Sequence, residues 1–201
     1  MITIVDYGMG NLGSIRSMLR RIGVRSTITG DPDEIARAEK VLLPGVGRFD
    51  AAMRQIAERG IREVLDRKAI QERVPTLGIC LGMQLITRGS EEGDVTGLGW
   101  VDAAACRFPP DGSLKVPHMG WNVVRPTRPS ALTAGLPEES RFYFVHSYFV
   151  QTDRPADTVL TAEYGVTFAA ALEADNIFGA QFHPEKSHRF GMQLLANFAS
   201  L

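Results

Sequence analysis

The chain has 201 residues, 44% of them hydrophobic and 22% charged, with 22 basic and 23 acidic side chains. This length suits one compact domain that buries about 70% of its unfolded surface, and we expect a single domain over residues 1–201. The even charge argues against a protein dedicated to nucleic acid or to an anionic membrane, and the absence of a long apolar run or a signal-like start predicts a cytoplasmic protein.

The first half of the chain alternates short apolar runs with longer amphipathic segments, which is typical of βα units around a parallel sheet. Strands are predicted at 2–5, 27–29, 40–43 and 76–79. A helix is predicted over 14–22, where apolar residues recur at helical spacing. One or two more are predicted over 50–71, interrupted at Gly60. This half therefore indicates a central, mostly parallel sheet flanked by helices.

After about residue 97 the strand-like segments follow one another without intervening helices. They are 99–108, 120–125, 141–150, 158–162, 168–171 and 177–182. A closing helix is predicted over 191–199, with its apolar residues on one face. Because no linker or repeat separates the two halves, we expect antiparallel additions to the same sheet in a single α/β domain.

The segment GICLGMQ (78–84) places a cysteine directly after a predicted strand, with glycines two residues to either side. This arrangement is typical of a nucleophile elbow, whose tight turn needs small neighbours and projects the nucleophile from the top of a sheet. The dipole of the following helix favours a thiolate, and its first N–H groups can receive an oxyanion. Alternatively, Cys80 is a small buried hydrophobe or is bridged to Cys106, although two cysteines in this length favour reduced thiols.

A base for such a thiolate is offered by His183, which follows a predicted strand and is separated from Glu185 by one proline. Residues two apart in an extended chain point the same way, and Pro184 disfavours a helical conformation at His183. Glu185 can then orient the imidazole and stabilise its charged form, which is the role of the third group in a catalytic triad. The alternative is a partly buried histidine beside a surface glutamate.

A rival pattern lies near the start of the chain. GMGNLG (8–13) fits the G-x-G-x-x-G turn of dinucleotide-binding proteins, and Asp31 and Asp33 lie about where a ribose-binding acid would be. A NAD-dependent oxidoreductase is therefore an alternative function. It would leave the cysteine elbow and the His183–Glu185 pair without a role.

Metal binding is a second rival. The spacing His183-x-Glu185-x-x-His188 could supply ligands. However, Pro184 prevents the helix that would align these side chains, and no further His or Cys cluster supports a zinc site. We therefore predict no metal and no cofactor.

Three segments resemble the signatures of the class I glutamine amidotransferases: GICLGMQ, QFHPEKS (181–187) and LPGVG (43–47). Four more are similar to the glutaminase subunits of imidazole glycerol phosphate synthase within that class: DYGMGN (6–11), GLGW (97–100), PHMGWN (117–122) and FVHSY (144–148). The resemblance covers essentially the whole chain and implies the flavodoxin-like fold of the class. Arg48 stands where a small residue is expected, so the shape of the pocket beside it is left open.

The resemblance implies that Cys80 attacks the side-chain amide carbon of glutamine, with His183 and Glu185 completing the triad, and that hydrolysis of a thioester releases glutamate. It implies backbone donors to the oxyanion at three residues: Val46, Gly47 and Leu81. It implies that four residues hold the substrate: Gln84, His146, Ser147 and Tyr148. Gln84 lies one helical turn after Cys80, on the same face of the predicted helix, although an ordinary surface glutamine is the alternative.

The resemblance also implies a partner, a cyclase subunit with a (β/α)8-barrel fold. It uses the ammonia to make imidazole glycerol phosphate and an aminoimidazole carboxamide ribotide in histidine biosynthesis. Nothing in this chain resembles a barrel, so a heterodimer is implied. Four residues match family positions at or near the interface: Asn11, Met119, Trp121 and Tyr143. Trp121 and Tyr143 could instead be core residues of strands, and a glutaminase for another ammonia-using synthase or a catalytically silent binding module are the remaining alternatives.

Overall fold

A ten-stranded sheet runs through the computed structural model, which describes residues 1–109 and 114–201. Five strands form its parallel half: β1 (Ile2–Val5), β2 (Ser26–Thr29), β3 (Val41–Gly45), β4 (Thr76–Cys80) and β12 (Ile177–Ala180). Their order across the sheet is β2-β1-β3-β4-β12. Every residue of β1, β3, β4 and β12 is buried, because helices cover both faces, and this is why these strands are continuous apolar runs.

Helices pack on both faces of the sheet. They are α1 (Leu12–Arg21), α2 (Pro32–Ala36), α3 (Phe49–Glu58), α4 (Arg62–Asp66), α5 (Leu81–Leu85) and α6 (His188–Ser200). Helices α1 and α6 contribute to one apolar cluster through Leu19 and Phe198, and α3 and α4 contribute to the other through Ile56 and Leu65. No helix within the described ranges is long and apolar enough to cross a membrane.

Antiparallel strands extend the sheet beyond β12. They are β5 (Ala103–Arg107), β7 (Arg125–Pro126), β9 (Tyr148–Thr152), β10 (Thr158–Tyr164) and β11 (Val166–Ala174). Strand β11 pairs with β12, β10 and β9, while β7 pairs with β10 and β5 with β9. The predicted fold class is therefore confirmed: one α/β domain with a parallel centre and antiparallel additions.

The sequence pattern was wrong about the stretch 141–150, which is two strands and not one. Strand β8 (Arg141–His146) pairs with β6 (His118–Val123) in a separate two-stranded sheet, and β9 begins at Tyr148 in the main sheet. The chain changes sheets at Ser147, which is a bend. This break places Ser147 and Tyr148 in the lining of the cavity that also contains Cys80.

A second difference is α2, a short helix between β2 and β3 for which no helix was predicted. Asp31 accepts hydrogen bonds from the backbone N–H groups of Asp33 and Glu34, at 2.8 and 3.2 Å. Pro32 occupies the first helical position, where its missing N–H costs nothing. The residues that end β2 thus also start a short helix.

Candidate active site

Cys80 is the last residue of β4 and immediately precedes α5. Its backbone has φ 53° and ψ −109°, an uncommon conformation for a residue with a side chain. Such strain persists only where the surrounding structure enforces it, and it concentrates at functional sites. The predicted elbow is therefore present in the backbone, with the thiol at the carboxyl end of a central parallel strand.

Glycines at positions 78 and 82 make this elbow possible. A Cβ at Gly82 would lie 1.8 Å from the carbonyl oxygen of Leu43, and one at Gly78 would lie 2.6 Å from the backbone of Gly82. Helix α5 therefore packs directly on the backbones of β3 and β4. Any larger residue would displace the helix whose first turn adjoins the thiol.

His183 and Glu185 form a buried pair joined by a hydrogen bond of 2.7 Å between Nδ1 and Oε1. Only 2% and 1% of their side-chain surfaces are exposed. The backbone N–H of His183 donates to the carbonyl of Tyr143 at 2.9 Å, and its own carbonyl accepts from the Ser187 hydroxyl. The pair is thus held by β8 and by the turn before α6.

The second ring nitrogen of His183, Nε2, is buried and has no hydrogen-bond partner within 1–109 and 114–201. Cys80 ends the neighbouring strand, because β4 pairs in parallel with β12, the strand that leads to His183. Burial would lower the pKa of His183, but Cys80 and then Glu185 favour the imidazolium and raise the pKa to about 9. The protonated form of this imidazole is therefore favoured at the site.

A cavity of about 290 Å³ opens over Cys80. Its lining comprises Val46, Gly47, Cys80, Leu81, Gln84, Glu92, Pro117, Val145, Ser147 and Tyr148. Most of the residues predicted for the oxyanion site and for substrate binding therefore meet around the thiol. The volume is small and suits a ligand of amino-acid size.

Gln84 presents one end of its side-chain amide to this cavity. Its Nε2 donates to the carbonyl of Tyr148 at 3.0 Å, which fixes the orientation of the amide because a carbonyl can only accept. The same nitrogen lies 3.4 Å from Oε1 of Gln181. The amide oxygen of Gln84 is thereby the atom left for a ligand. Gln84 is buried and is not the ordinary surface residue of the alternative interpretation.

His146 differs from the other predicted substrate-binding residues, because it does not line the cavity. Both ring nitrogens are engaged by the protein: Nδ1 lies 2.7 Å from the carbonyl oxygen of Tyr148 and Nε2 lies 3.0 Å from Nδ1 of His118. Phe168 packs against the ring, with centroids 5.2 Å apart. This geometry therefore argues against a direct contact between His146 and a substrate.

Glu92 lines the cavity but was missed by the sequence analysis. It accepts a hydrogen bond from the backbone N–H of Phe49 at 3.0 Å, which ties it to the start of α3. No motif marks it, because it lies in an irregular loop twelve positions after Cys80. Arg48, the departure from the expected pattern, pairs with Asp50 at 3.1 Å and is not among the lining residues.

Three of the four residues matched to a partner interface lie on the small sheet of β6 and β8, where Trp121 pairs with Tyr143 and Met119 is two positions before Trp121. Met119 and Trp121 are 62% and 49% exposed, although both are large and apolar. Trp121 stacks on His188 with an interplanar angle of 8° and meets Tyr143 edge-on. Asn11 is exposed at the start of α1, and Tyr143 is half-buried. The exposure of Trp121 therefore contradicts the alternative that it is a core residue of a strand.

The rival interpretations find little support in the geometry. Asp31 uses its carboxylate to cap α2, and so does not offer it to a ribose. Cys80 and Cys106 are both free, so the bridge between them is not formed. Across the described part of the chain, no group of three or more His, Cys, Asp or Glu side chains could hold a metal ion.

The raised pKa of His183 leads to a prediction about pH. Its folded pKa of about 9 exceeds the ordinary 6.5, so the interaction contributes fully to stability below about pH 6.5 and is lost as the pH rises through about 9. Glu185→Gln removes one of the two favourable charges, and we expect the pKa of His183 to fall by about one unit or more. An NMR titration of the imidazole, paired with thermal unfolding across the same pH range, measures both effects.

Glu92→Gln is the matched control, because it also removes a carboxylate at the cavity but one that does not contact His183. In the Glu92→Gln variant, the pKa of His183 should equal that of the unmodified chain. Equal pKa values in the Glu185→Gln variant and in the unmodified chain would contradict the assignment of the pair.

Comparisons with known proteins agree with this geometry. The family model described as class-I glutamine amidotransferase matches residues 3–200. The chain is 50% identical over 198 residues to imidazole glycerol phosphate synthase subunit HisH 2 of Methanococcus maripaludis, with 98% of both chains covered. It is 47% identical over 201 residues to the HisH 2 protein of Pseudomonas aeruginosa, with 100% of both covered. A solved glutamine amidotransferase of Thermotoga maritima has the same fold, with a TM-score of 0.67 at 17% identity, covering 99% of this chain and 82% of that one.

Proposed function

The chain belongs to the class I glutamine amidotransferases, and within them to the HisH subunits of imidazole glycerol phosphate synthase, and we propose that Cys80, His183 and Glu185 are its catalytic triad. Its activity is the hydrolysis of glutamine to glutamate and ammonia in histidine biosynthesis. One observation carries the assignment of the triad. A strained Cys80 lines a cavity of amino-acid size, and the strand that it ends pairs in parallel with β12, which leads to the buried imidazole of His183 that Glu185 orients.

The proposed reaction begins with attack of the Cys80 thiolate on the side-chain amide carbon of glutamine. The carbonyl π electrons move to oxygen, and the oxyanion is stabilised by backbone N–H groups of Leu81 and of the Val46–Gly47 turn. His183 donates a proton to the amide nitrogen as the carbon–nitrogen bond breaks, and ammonia leaves a thioester on Cys80. His183 then removes a proton from water as the water attacks the thioester, the carbon–sulfur bond breaks, and glutamate leaves.

Glu185 contributes to these reaction steps through His183. Its hydrogen bond to Nδ1 directs Nε2 toward the reacting atoms and stabilises the imidazolium that each half-reaction forms. Burial strengthens this effect, because few water molecules compete for either charge. The free thiol that the reaction needs is preserved in a reducing compartment, so we place the protein in the cytoplasm.

We infer that Gln84 and Glu92 recognise the amino-acid end of glutamine. Gln84 and Glu92 both line the cavity, and the amide oxygen of Gln84 and the carboxylate of Glu92 are acceptors suited to an ammonium group. Ser147 and Tyr148, which come from another segment of the chain, also line the cavity. This set distinguishes an α-amino acid from a simple amide.

The HisH relatives are subunits of a synthase, and we propose that this chain likewise functions in a complex with a cyclase subunit, which has a (β/α)8-barrel fold. Ammonia in water is mostly present as unreactive ammonium, so direct transfer between the two proteins protects it. The proposed contact surface is the one formed by Asn11, Met119, Trp121 and Tyr143. Exposed Met and Trp side chains at the same end as the active site support this choice, because such residues are enriched in interface cores.

Trp121→Glu tests this surface. A buried interface tryptophan commonly contributes about 2 kcal/mol or more, so we expect the dissociation constant of the complex to rise by roughly thirtyfold or more. Isothermal titration calorimetry with the cyclase subunit measures it. Ile70→Glu is the matched control, since Ile70 is 50% exposed but precedes β4 at the opposite end of the sheet. Equal affinities of the two variants would refute the surface.

The proposed function is tested by measuring glutamate release from glutamine. The chain is assayed alone, then with the cyclase subunit, and then with the nucleotide substrate of the cyclase added as well. We expect slow release by the chain alone and much faster release in the complete complex. No release under any of the three conditions would overturn the function, and full turnover by the isolated chain would overturn its dependence on the partner.

A further inference from the structure

Two buried histidines outside the proposed triad form a chain of hydrogen bonds that ends at the wall of the cavity. Nδ1 of His118 lies 3.0 Å from Nε2 of His146, and Nδ1 of His146 lies 2.7 Å from the carbonyl oxygen of Tyr148. At the other end, Nε2 of His118 lies 3.3 Å from the side-chain nitrogen of Asn122. Each of the four ring nitrogens therefore has a partner.

Only one arrangement of protons satisfies every link with neutral rings. A carbonyl oxygen can only accept, so Nδ1 of His146 carries a hydrogen and Nε2 of that ring is an acceptor. His118 must then donate through Nδ1, which makes its own Nε2 the acceptor for the Asn122 amide. The chain of hydrogen bonds thus runs in one direction, from Asn122 through His118 and His146 to Tyr148.

The surrounding side chains keep both imidazole rings neutral and restrict the rotation of His118. Phe144 and Tyr164 stack on the His118 ring, with centroids 4.9 and 4.1 Å away. Burial lowers the pKa of His118 to about 4 and that of His146 to about 3. Both imidazoles are therefore neutral at physiological pH, and stacking restricts rotation of the His118 ring.

The chain of hydrogen bonds ends on an acceptor that it shares with the cavity. The carbonyl oxygen of Tyr148 accepts from His146 and also from Nε2 of Gln84 at 3.0 Å. The position of this oxygen thus determines which way the Gln84 amide faces. If the His118 donor were lost, Nε2 of His146 would be a buried acceptor without a partner, and the ring could satisfy it only by turning away from Tyr148.

We propose that His118 is a positioning residue for glutamine binding, acting through His146 and the Tyr148 carbonyl on the orientation of Gln84. The inference rests on the proposed function, because it assigns the effect to the glutamine pocket of that reaction. It gives His146 a role in binding although this residue does not line the cavity. His118 also adjoins the proposed contact surface, because the exposed Met119 is the next residue on β6.

The test compares two substitutions in the complex with the cyclase subunit. His118→Phe keeps a ring beside Phe144 and Tyr164 but has no donor, and we expect the KM for glutamine to rise about tenfold with kcat changed by less than about threefold. His118→Asn places an amide nitrogen where Nδ1 was, and its KM should remain within about threefold of the native value. Tyr164→Phe is the matched control for packing, because it removes only a hydroxyl that donates to the Lys115 carbonyl, and its KM should be unchanged.

If His118 had only a structural role, its substitution would lower the apparent kcat and leave KM unchanged. A partly unfolded His118→Phe variant would show a lower apparent kcat at unchanged KM, and that result would overturn the proposal, as would equal KM values for the Phe and Asn variants. NMR of the unmodified chain adds a test that no folding defect can obscure. Long-range spectra should show both imidazoles protonated at Nδ1, and an Nε2–H form of either ring would overturn the proposed direction of the hydrogen bonds.

These outcomes are separable from failure of the proposed function. If the native complex releases no glutamate from glutamine, the function fails, while the protonation of the two rings is still measured on the isolated chain. If the native complex is active and His118→Phe binds glutamine normally, the positioning role alone fails.

Discussion

Replacing Cys80 with alanine will abolish glutamine-dependent synthesis by the complex while leaving ammonia-dependent synthesis nearly intact. The substitution removes the proposed nucleophile, which lines the cavity, and loss of a nucleophile commonly lowers kcat by on the order of 10⁴-fold or more. Ammonia supplied in the buffer bypasses this chain, because it reacts at the cyclase subunit. Glutamate release and product formation are measured with each nitrogen source in turn.

The second cysteine supplies the control. Cys106 lies half-buried on β5, where its sulfur is 3.8 Å from the side-chain oxygen of Gln151, and it does not line the cavity. Cys106→Ala should therefore retain both activities. Release of glutamate at the native rate by the Cys80→Ala variant would show that the thiolate mechanism is wrong, and an equal loss of release in the Cys106→Ala variant would show that the effect is not specific to the thiol at the cavity.

Gly82→Ala is expected to disrupt the elbow itself. The added Cβ would lie 1.8 Å from the Leu43 carbonyl oxygen and 2.9 Å from its carbon, and neither backbone atom can move without distorting the buried strand β3. Overpacking of this kind costs about 3 kcal/mol, which lowers the Tm of a domain of this size by about 10 °C. Thermal unfolding measures the loss, and glutaminase activity should fall with it because α5 must shift away from Cys80.

Gly13→Ala is the matched control for a glycine replaced in a helix. Gly13 lies in α1, is exposed, and a Cβ there would meet no atom within 4 Å. Alanine at this position should be neutral or should stabilise the chain by up to about 1 kcal/mol. A Gly82→Ala protein as stable as the Gly13→Ala protein would mean that α5 does not pack on β3 as closely as the distances indicate.

The parallel half of the fold was predictable because four of its five strands are buried on both faces and are short, mostly apolar runs. The elbow was predictable for a related reason: the glycines at 78 and 82 have no room for a Cβ, so the constraint is visible in the sequence. The spacing of His183 and Glu185 also reflects local geometry. Their hydrogen bond of 2.7 Å joins residues two positions apart.

The second half was less predictable because strand pairing, and not local pattern, decides it. Residues 141–150 are rich in aromatic residues and valine and contain no glycine or proline, so local pattern gives no reason to divide them. The chain bends at Ser147 because β8 pairs with β6 while β9 pairs with β5, on two different sheets. Without that bend, Ser147 and Tyr148 would not line the cavity.

The βα framework, the elbow at Cys80 and the His183–Glu185 pair could be predicted from the sequence alone, because each depends on residues that are neighbours along the chain. It took the folded structure to show that Glu92 joins the cavity, that Trp121 is exposed, and that His146 faces His118 and not the substrate space. These features depend on contacts between residues far apart in sequence, such as the hydrogen bond that joins positions 28 residues apart in the His118–His146 pair. Local sequence patterns do not predict such contacts, because they form only when the whole chain packs.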